Sequence, residues 1–269
     1  CSYVHCDVTI EDEVKNLVKT TVNSYENLDI MFSNAGILSP SDQTVLDLDI
    51  SQFDHLFTVN VRGMALTVKH AARAMVEGHV RGSIVCTGSV AATHGTSRRV
   101  DYTMSKHAVL GLVRAASIQL AAHGIRVNCV SPNGLATPLT CASFGLETEE
   151  LQKMYAHNAR LKGIVLTPKH VADAVLFLAS GDSEFVTGHN LVVDEDVGAS
   201  SGGSTLHPFV WGATHVPLPV RGSVTEHVAS PSFDVNLQPD NDDAFDLGDN
   251  HSFSELVVAM ARTPQPPSS

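Results

Sequence analysis

Along residues 1–198, short apolar runs alternate with stretches of helical period, and that alternation leaves few folds open. The runs Ser2–Thr9 (SYVHCDVT), Leu28–Phe32 (LDIMF), Gly82–Ser89 (GSIVCTGS), Ile125–Pro132 (IRVNCVSP) and His189–Glu195 (HNLVVDE) have strand length and end in small or polar residues. Between them, Val14, Val18 and Val22 recur at helical spacing, Asp54–Glu77 reads as one long helix, and Val109, Val113, Ala116 and Leu120 form a stripe that stops at Gly124. Pro168 opens a further helix, in the first turn where proline is favoured. Strand and helix in alternation predict an α/β fold: an open, doubly wound, mostly parallel sheet with helices on both faces.

The texture changes near Ala199. From Ser201 onward two basic residues, Arg221 and Arg262, stand against eight acidic ones, lysine is absent, and Pro, Gly, Ser and Asp are frequent. Such a composition buries too little apolar surface to offset its ordering entropy. The expected organisation is a folded domain over 1–198 and a mostly disordered acidic tail over 199–269, with Ser254–Arg262 (SELVVAMAR) able to form a short helix.

Composition excludes some functions. A net charge of −12 and a pI near 5.5 speak against a nucleic-acid binder, which needs clustered Lys and Arg to neutralise phosphates. No apolar run approaches the roughly 20 residues of a membrane span. Cys1, Cys6, Cys86, Cys129 and Cys141 show no C-x-x-C spacing, and the histidines form no H-E-x-x-H, so inert thiols in a reducing, cytoplasmic setting and no metal are expected.

In an open parallel sheet, ligands bind outside the carboxyl ends of the strands. The polar clusters of this sequence fall there: Asp7 after the first run, Asn34-Ala35-Gly36 after the second, Ser89 after the third, and Ser131–Pro138 (SPNGLATP) after the fourth. Tyr102 and Lys106 stand one helical turn apart thirteen residues beyond Ser89. A free phenol ionises only near pH 10, so a tyrosine base at neutral pH needs a cation beside it, and Lys106 is placed to be that cation. Taken singly, each residue has an ordinary reading: a surface helix pair, a strand-end turn, a helix cap. Their joint order points to chemistry.

With DVT (Asp7–Thr9), NAG (Asn34–Gly36), Asn60 in TVNVRG, Ser89, Tyr102, Lys106 and SPNGLATP, the chain resembles the short-chain dehydrogenase/reductase family over residues 1 to 198. HCDVT, KHAARAM, SKHAVLGLVR and GIRVNCVSP are most similar to its plant branch, which oxidises secondary alcohols of terpenoids and lignans. The resemblance implies a Rossmann-type sheet and NAD- or NADP-dependent interconversion of a hydrophobic secondary alcohol and its ketone, with NAD favoured. It implies Tyr102 as acid/base, Lys106 as its electrostatic partner and ribose ligand, Ser89 as orienter of the substrate oxygen, and Asn60 as support of a water linking Lys106 to solvent. Asp7 and Val8 would meet the adenine, Asn34, Ala35, Gly36, Pro132 and Gly134 would line the cofactor cleft, and Thr137 would meet the nicotinamide amide or the phosphates. Helices Asp54–Glu77 and Tyr102–Ala122 would pack into a homodimer or tetramer, and Leu139–Gly163 would close over substrate.

The sequence also departs from that pattern. It opens on Cys1, and nothing ahead of Asp7 resembles T-G-x-x-x-G-x-G. The expectation is an N-terminally truncated piece lacking two βα units, on the order of 50 to 60 residues, which would bare one edge of the strand Leu28–Phe32. Glu195 and Asp196 stand where glycines are usual. The rival reading is a catalytically inactive remnant that serves as a binding or dimerisation module.

Overall fold

The computed structural model describes residues 2–158, 161–194 and 257–260. In chain order the elements are α1 (Glu11–Tyr25), β1 (Ile30–Ser33), α2 (Ile50–Phe57), a π-helical turn (Thr58–Gly63), α3 (Met64–Glu77) and β2 (Ser83–Thr87). A 3-10 turn (Val90–Ala92), α4 (Val100–Leu120), β3 (Arg126–Pro132), α5 (Pro138–Phe144), α6 (Thr148–Asn158), α7 (Pro168–Ala179), β4 (Asn190–Val193) and β5 (Val257–Met260) follow. The sheet order is β4-β3-β2-β1-β5. The first four strands are mutually parallel, and β5 runs antiparallel along β1.

Strand alternation feeds two cores. Ile84 and Cys86 of β2, Met31 of β1, and Val127 and Cys129 of β3 pack with Met64, Val68, Ala71 and Met75 of α3 and Val109 and Val113 of α4. Val85 and Val130, one position out of phase, face the other way, onto Leu178 of α7. The expected sheet with helices on both faces is therefore what forms, and α4 lies directly over β2 and β3. Burial pushes the Cys86 and Cys129 thiols above their ordinary range, which suits packing and not reaction.

Local signals place the helix ends. Asp49 caps α2, its carboxylate accepting from Ser51 N (2.9 Å) and Gln52 N (3.2 Å). Gly124 takes φ +68°, the left-handed conformation that stops the α4 stripe. Pro168 starts α7 behind a Thr167/His170 capping box.

Several expectations change. Asp54–Glu77 is not one regular helix: α2 begins at Ile50, and a π-helical turn carries Asn60 before α3 resumes. Ser2–Thr9 forms no strand. Cys6 and Val8 instead pack in a small core with Val14, Leu17, Ala35, Val59 and Leu66, and the run has no strand partner, because the outer edge of β1 is taken by β5. The edge expected to be bare is thus paired, and the segment expected to form a short helix supplies the strand. VVAM has the β-branched character an edge strand favours, and β1 offers it unpaired backbone groups. The rest of the predicted acidic tail, with Glu195 and Asp196, lies outside the described residues.

Candidate active site

The carboxyl ends of β1, β2 and β3 meet the start of α4, and the polar groups gathered there are linked. Lys106 is 3% exposed, and its Nζ donates to Thr87 O at 2.9 Å. The same Nζ lies 5.5 Å from the centre of the Tyr102 ring. Thr87 ends β2, and its hydroxyl donates to Asn34 Oδ1 at 2.7 Å. One turn of α4 thus joins the Asn34-Ala35-Gly36 segment through a strand-end threonine.

Asn60 is fully buried, and its amide acts as a clamp. Oδ1 accepts from Ile37 N (2.8 Å), and Nδ2 donates to Ile37 O (3.0 Å) and Ser105 Oγ (3.3 Å). Ser105 Oγ in turn donates to Tyr102 O at 2.8 Å. The π-helical turn places that amide between the chain leaving β1 and the tyrosine's own helix; such turns recur at functional sites. Gly36 sits in the same corner, where a Cβ would stand 3.3 Å from Asn60 Oδ1 and 3.7 Å from Lys106 Nζ. A side chain there would fill the space in front of the ammonium.

Ser89 begins the 3-10 turn that packs on α4. Its oxygen accepts from Ala91 N at 3.1 Å, so its own O–H remains a donor. Among the described residues nothing hydrogen-bonds the Tyr102 hydroxyl. A hydroxyl donor and a phenol next to a buried cation are the parts that hold an alcohol or carbonyl oxygen and move its proton.

The remaining predicted residues are placed as follows. Asp7 turns the chain into α1, its Oδ1 accepting from Thr9 N at 2.8 Å. Val8 is 1% exposed and pressed against Gly63, where an added Cβ would come within 2.6 Å of Val8 Cγ2. Its side chain packs in the small core with Val14, Leu17, Ala35, Val59 and Leu66. Ala35 is buried in the same core. Pro132 closes β3, and Thr137 caps α5 through a reciprocal pair with Thr140. Gly134 is covered by α6: a Cβ there would lie 2.5 Å from Tyr155 Cε1. Burial raises the Tyr155 phenol above its ordinary range, with Cys141 a smaller contributor.

Sequence reading missed Thr87, Ser105 and Tyr155. Thr87 carried a usable signal, as the last strand residue before the Gly-Ser turn. Tyr155 carried none, since its contact with Gly134 exists only once α6 folds back.

The profile described as enoyl-(acyl carrier protein) reductase matches residues 1–197. The chain belongs to the short-chain dehydrogenase/reductase family. Among plant members, a (+)-cis,trans-nepetalactol synthase of Nepeta racemosa is 53% identical over 195 residues, 72% of each chain. A mitochondrial (−)-isopiperitenol/(−)-carveol dehydrogenase of Mentha piperita is 52% identical over 211 residues, 78% of this chain and 77% of its own. Of solved structures, a short-chain dehydrogenase/reductase from Mycobacterium marinum superposes with a TM-score of 0.65 at 32% identity, covering 72% of this chain and 74% of its own. ElxO with NADP bound gives 0.62 at 29% identity, covering 70% and 75%.

The family implies a nicotinamide cofactor, and the residues present fit its ribose and nicotinamide end. Lys106 has three N–H donors and, among the described residues, a single acceptor, Thr87 O, while Gly36 keeps the space before it open. No cluster of three or more metal-ligating side chains occurs among the described residues, and no described helix is long and apolar enough to cross a membrane.

Proposed function

We propose that the chain is an oxidoreductase that interconverts a secondary alcohol and a ketone by hydride transfer with NAD(P), on a terpenoid, lignan or similar hydrophobic molecule. The observation that carries the proposal is a buried Lys106 ammonium 5.5 Å from the ring of Tyr102, whose hydroxyl no described protein group hydrogen-bonds. A terpenoid-like substrate is supported by relatives named for carveol and nepetalactol.

In the oxidative direction the Ser89 hydroxyl donates to the substrate oxygen and holds it at Tyr102. Tyr102 takes the alcohol proton as the carbinol C–H electron pair leaves, and Lys106 stabilises the negative charge on its partner. A bound nicotinamide supplies the hydride acceptor. Asn60 keeps Ile37 and Ser105 fixed, which holds the wall of the site still while the proton moves. In reduction Tyr102 returns the proton to the carbonyl oxygen.

NAD is the preferred nucleotide in this proposal; separate titrations of NADH and NADPH, followed by fluorescence, decide it. A homodimer or tetramer packed through α4 is supported by Met104 and Ile118, exposed at 47% and 79%; Ile118→Glu yielding smaller particles in light scattering checks it. A reducing compartment, with the cytoplasm as the simplest case, is supported by the free thiols of Cys86, Cys129 and Cys141.

The decisive variant is Tyr102→Phe. Turnover of a cyclic secondary alcohol with NAD(P) should fall by about 10² to 10⁴ while nucleotide binding persists. Turnover close to the parent would remove the assignment. No nucleotide binding by the parent chain would favour the inactive-module reading.

A further inference from the structure

Asp101 precedes the proposed base directly and has no exposed surface. A buried carboxylate is costly unless its oxygens are hydrogen-bonded, and both are. Oδ1 accepts from Tyr102 N at 2.7 Å, and Oδ2 accepts from the Ser39 hydroxyl. Ser39 is itself 2% exposed and lies on the chain that leaves Asn34-Ala35-Gly36. Its carbonyl accepts from Arg99 Nη1, while Arg99 Nη2 donates to Ser143 Oγ at 2.7 Å, on α5. The two chains are zipped at this point, with Gln43 N donating to Arg98 O (2.8 Å) and Val100 N to Gln43 O (3.1 Å).

The arrangement is a relay of hydrogen bonds: Tyr102 N–H, Asp101, Ser39, Arg99, Ser143. It spans three segments: the chain after β1, the start of α4, and α5, which follows the end of β3. A carboxylate that only started α4 would end at the helix, where acidic side chains are favoured in the first turn. Asp101 instead reaches across 62 residues of sequence to Ser39. α5 buries none of its own residues, so its placement rests on few contacts, of which Arg99 to Ser143 is one.

Resting on the dehydrogenase reading above, we propose that Asp101 is a positioning residue: through Ser39 and Arg99 it couples the placement of Tyr102 to closure of α5 over the substrate. Substrate that seats α5 thereby steadies the base, and a loosened α5 leaves the base less well held. Misplacement of a reacting group by about 1 Å can cost on the order of 10²-fold in rate.

The test is amide hydrogen exchange on the full chain, which needs no turnover, joined to steady-state kinetics. Asp101→Asn and Ser39→Ala should each speed exchange of the α5 amides, residues 138–144, by about 3- to 10-fold, the factor that one lost hydrogen bond of ordinary worth represents. No hydrogen bond runs from Asp101 to α5, so a carboxylate that merely starts a helix would leave those amides alone. Ser143→Ala should do the same, and combining it with Asp101→Asn should add little, because both cut one chain. In kinetics Ser143→Ala should raise KM for the alcohol several-fold with kcat within about twofold, whereas Asp101→Asn should lower kcat as well. Parental α5 exchange in Asp101→Asn and Ser39→Ala, or full additivity with Ser143→Ala, overturns the proposal. Tyr102→Phe separates the two readings: active Tyr102→Phe sinks the dehydrogenase assignment, while inactive Tyr102→Phe beside parental exchange in the relay variants sinks the relay alone.

Discussion

On the sheet side of the cleft, Lys106, Asn60 and Ser105 are at most 3% exposed and bound to backbone carbonyls, amides and one another. On the cover side, α5 buries no residue and leaves Phe144 51% exposed; a capping box, Arg99 and the Tyr155–Gly134 contact hold it and α6 near the site. The sheet side derives its rigidity from strands that cannot shift without opening two cores. α5 can change shape at little cost to the fold, whereas Leu151, fully buried, pins α6. In the function proposed above, proton and hydride chemistry, which needs fixed geometry, uses the first, and substrate choice, which needs adaptable surface, uses the second.

Substitutions can break that contrast. Lys106→Met removes the cation while keeping the stem, and should lower turnover by about 10² or more with the fold retained by circular dichroism; a loss below about tenfold would place the needed charge elsewhere. Gly63→Ala forces a methyl within 2.6 Å of Val8 Cγ2 and should destabilise the sheet side by about 1–3 kcal/mol in urea melts. An unshifted midpoint would mean that the junction of the π-helical turn and the α1 region yields easily. On the cover side Tyr155→Ala should raise KM for the alcohol by about 3- to 10-fold and leave the urea midpoint nearly unchanged. A large stability loss there would erase the contrast.

The smallest effect is expected at the surface link between α1 and α3. Glu11 Oε1 meets Lys69 Nζ at 2.6 Å and His70 Nε2 at 3.0 Å, and hydrogen bonds from those two side chains hold its carboxyl at about 2, against 4.5 unperturbed. A folded-state value below the unfolded one means the contribution is full above about pH 4.5 and is lost as pH falls toward 2. Glu11→Gln should therefore be slightly less stable than the parent at pH 6, with the gap closing below pH 4.5 and shrinking in high salt. A gap constant from pH 6 to pH 3 would contradict it.

Much of the sheet was legible because strand and helix periods are properties of neighbouring residues. Val14 and Val18, Val109 and Val113, and Cys86 and Cys129 are buried as their spacing predicts. Tyr102 and Lys106 were legible as a pair because one helical turn separates them. Asn60 was legible as a residue but not as a clamp on Ile37, and the packing of Val8 against Gly63 was not legible at all. Val257–Met260 was read as a helix fragment, since four residues carry too little periodicity to reveal that β1 would accept them as a strand.

By itself, then, the sequence determined the alternation of elements, the faces that must be buried, the helix caps and stops, and the order of the polar residues at the strand ends. Tertiary structure decided which of those residues meet: Lys106 with Thr87 across 19 positions, Asn60 with Ser105 across 45, Asp101 with Ser39 across 62, and β5 with β1. The division follows from the range of the forces. Periodicity, capping and φ preference act within a turn or two of the chain, whereas a buried hydrogen bond between distant residues forms only after sheet register and helix packing have brought donor and acceptor within 3 Å or so.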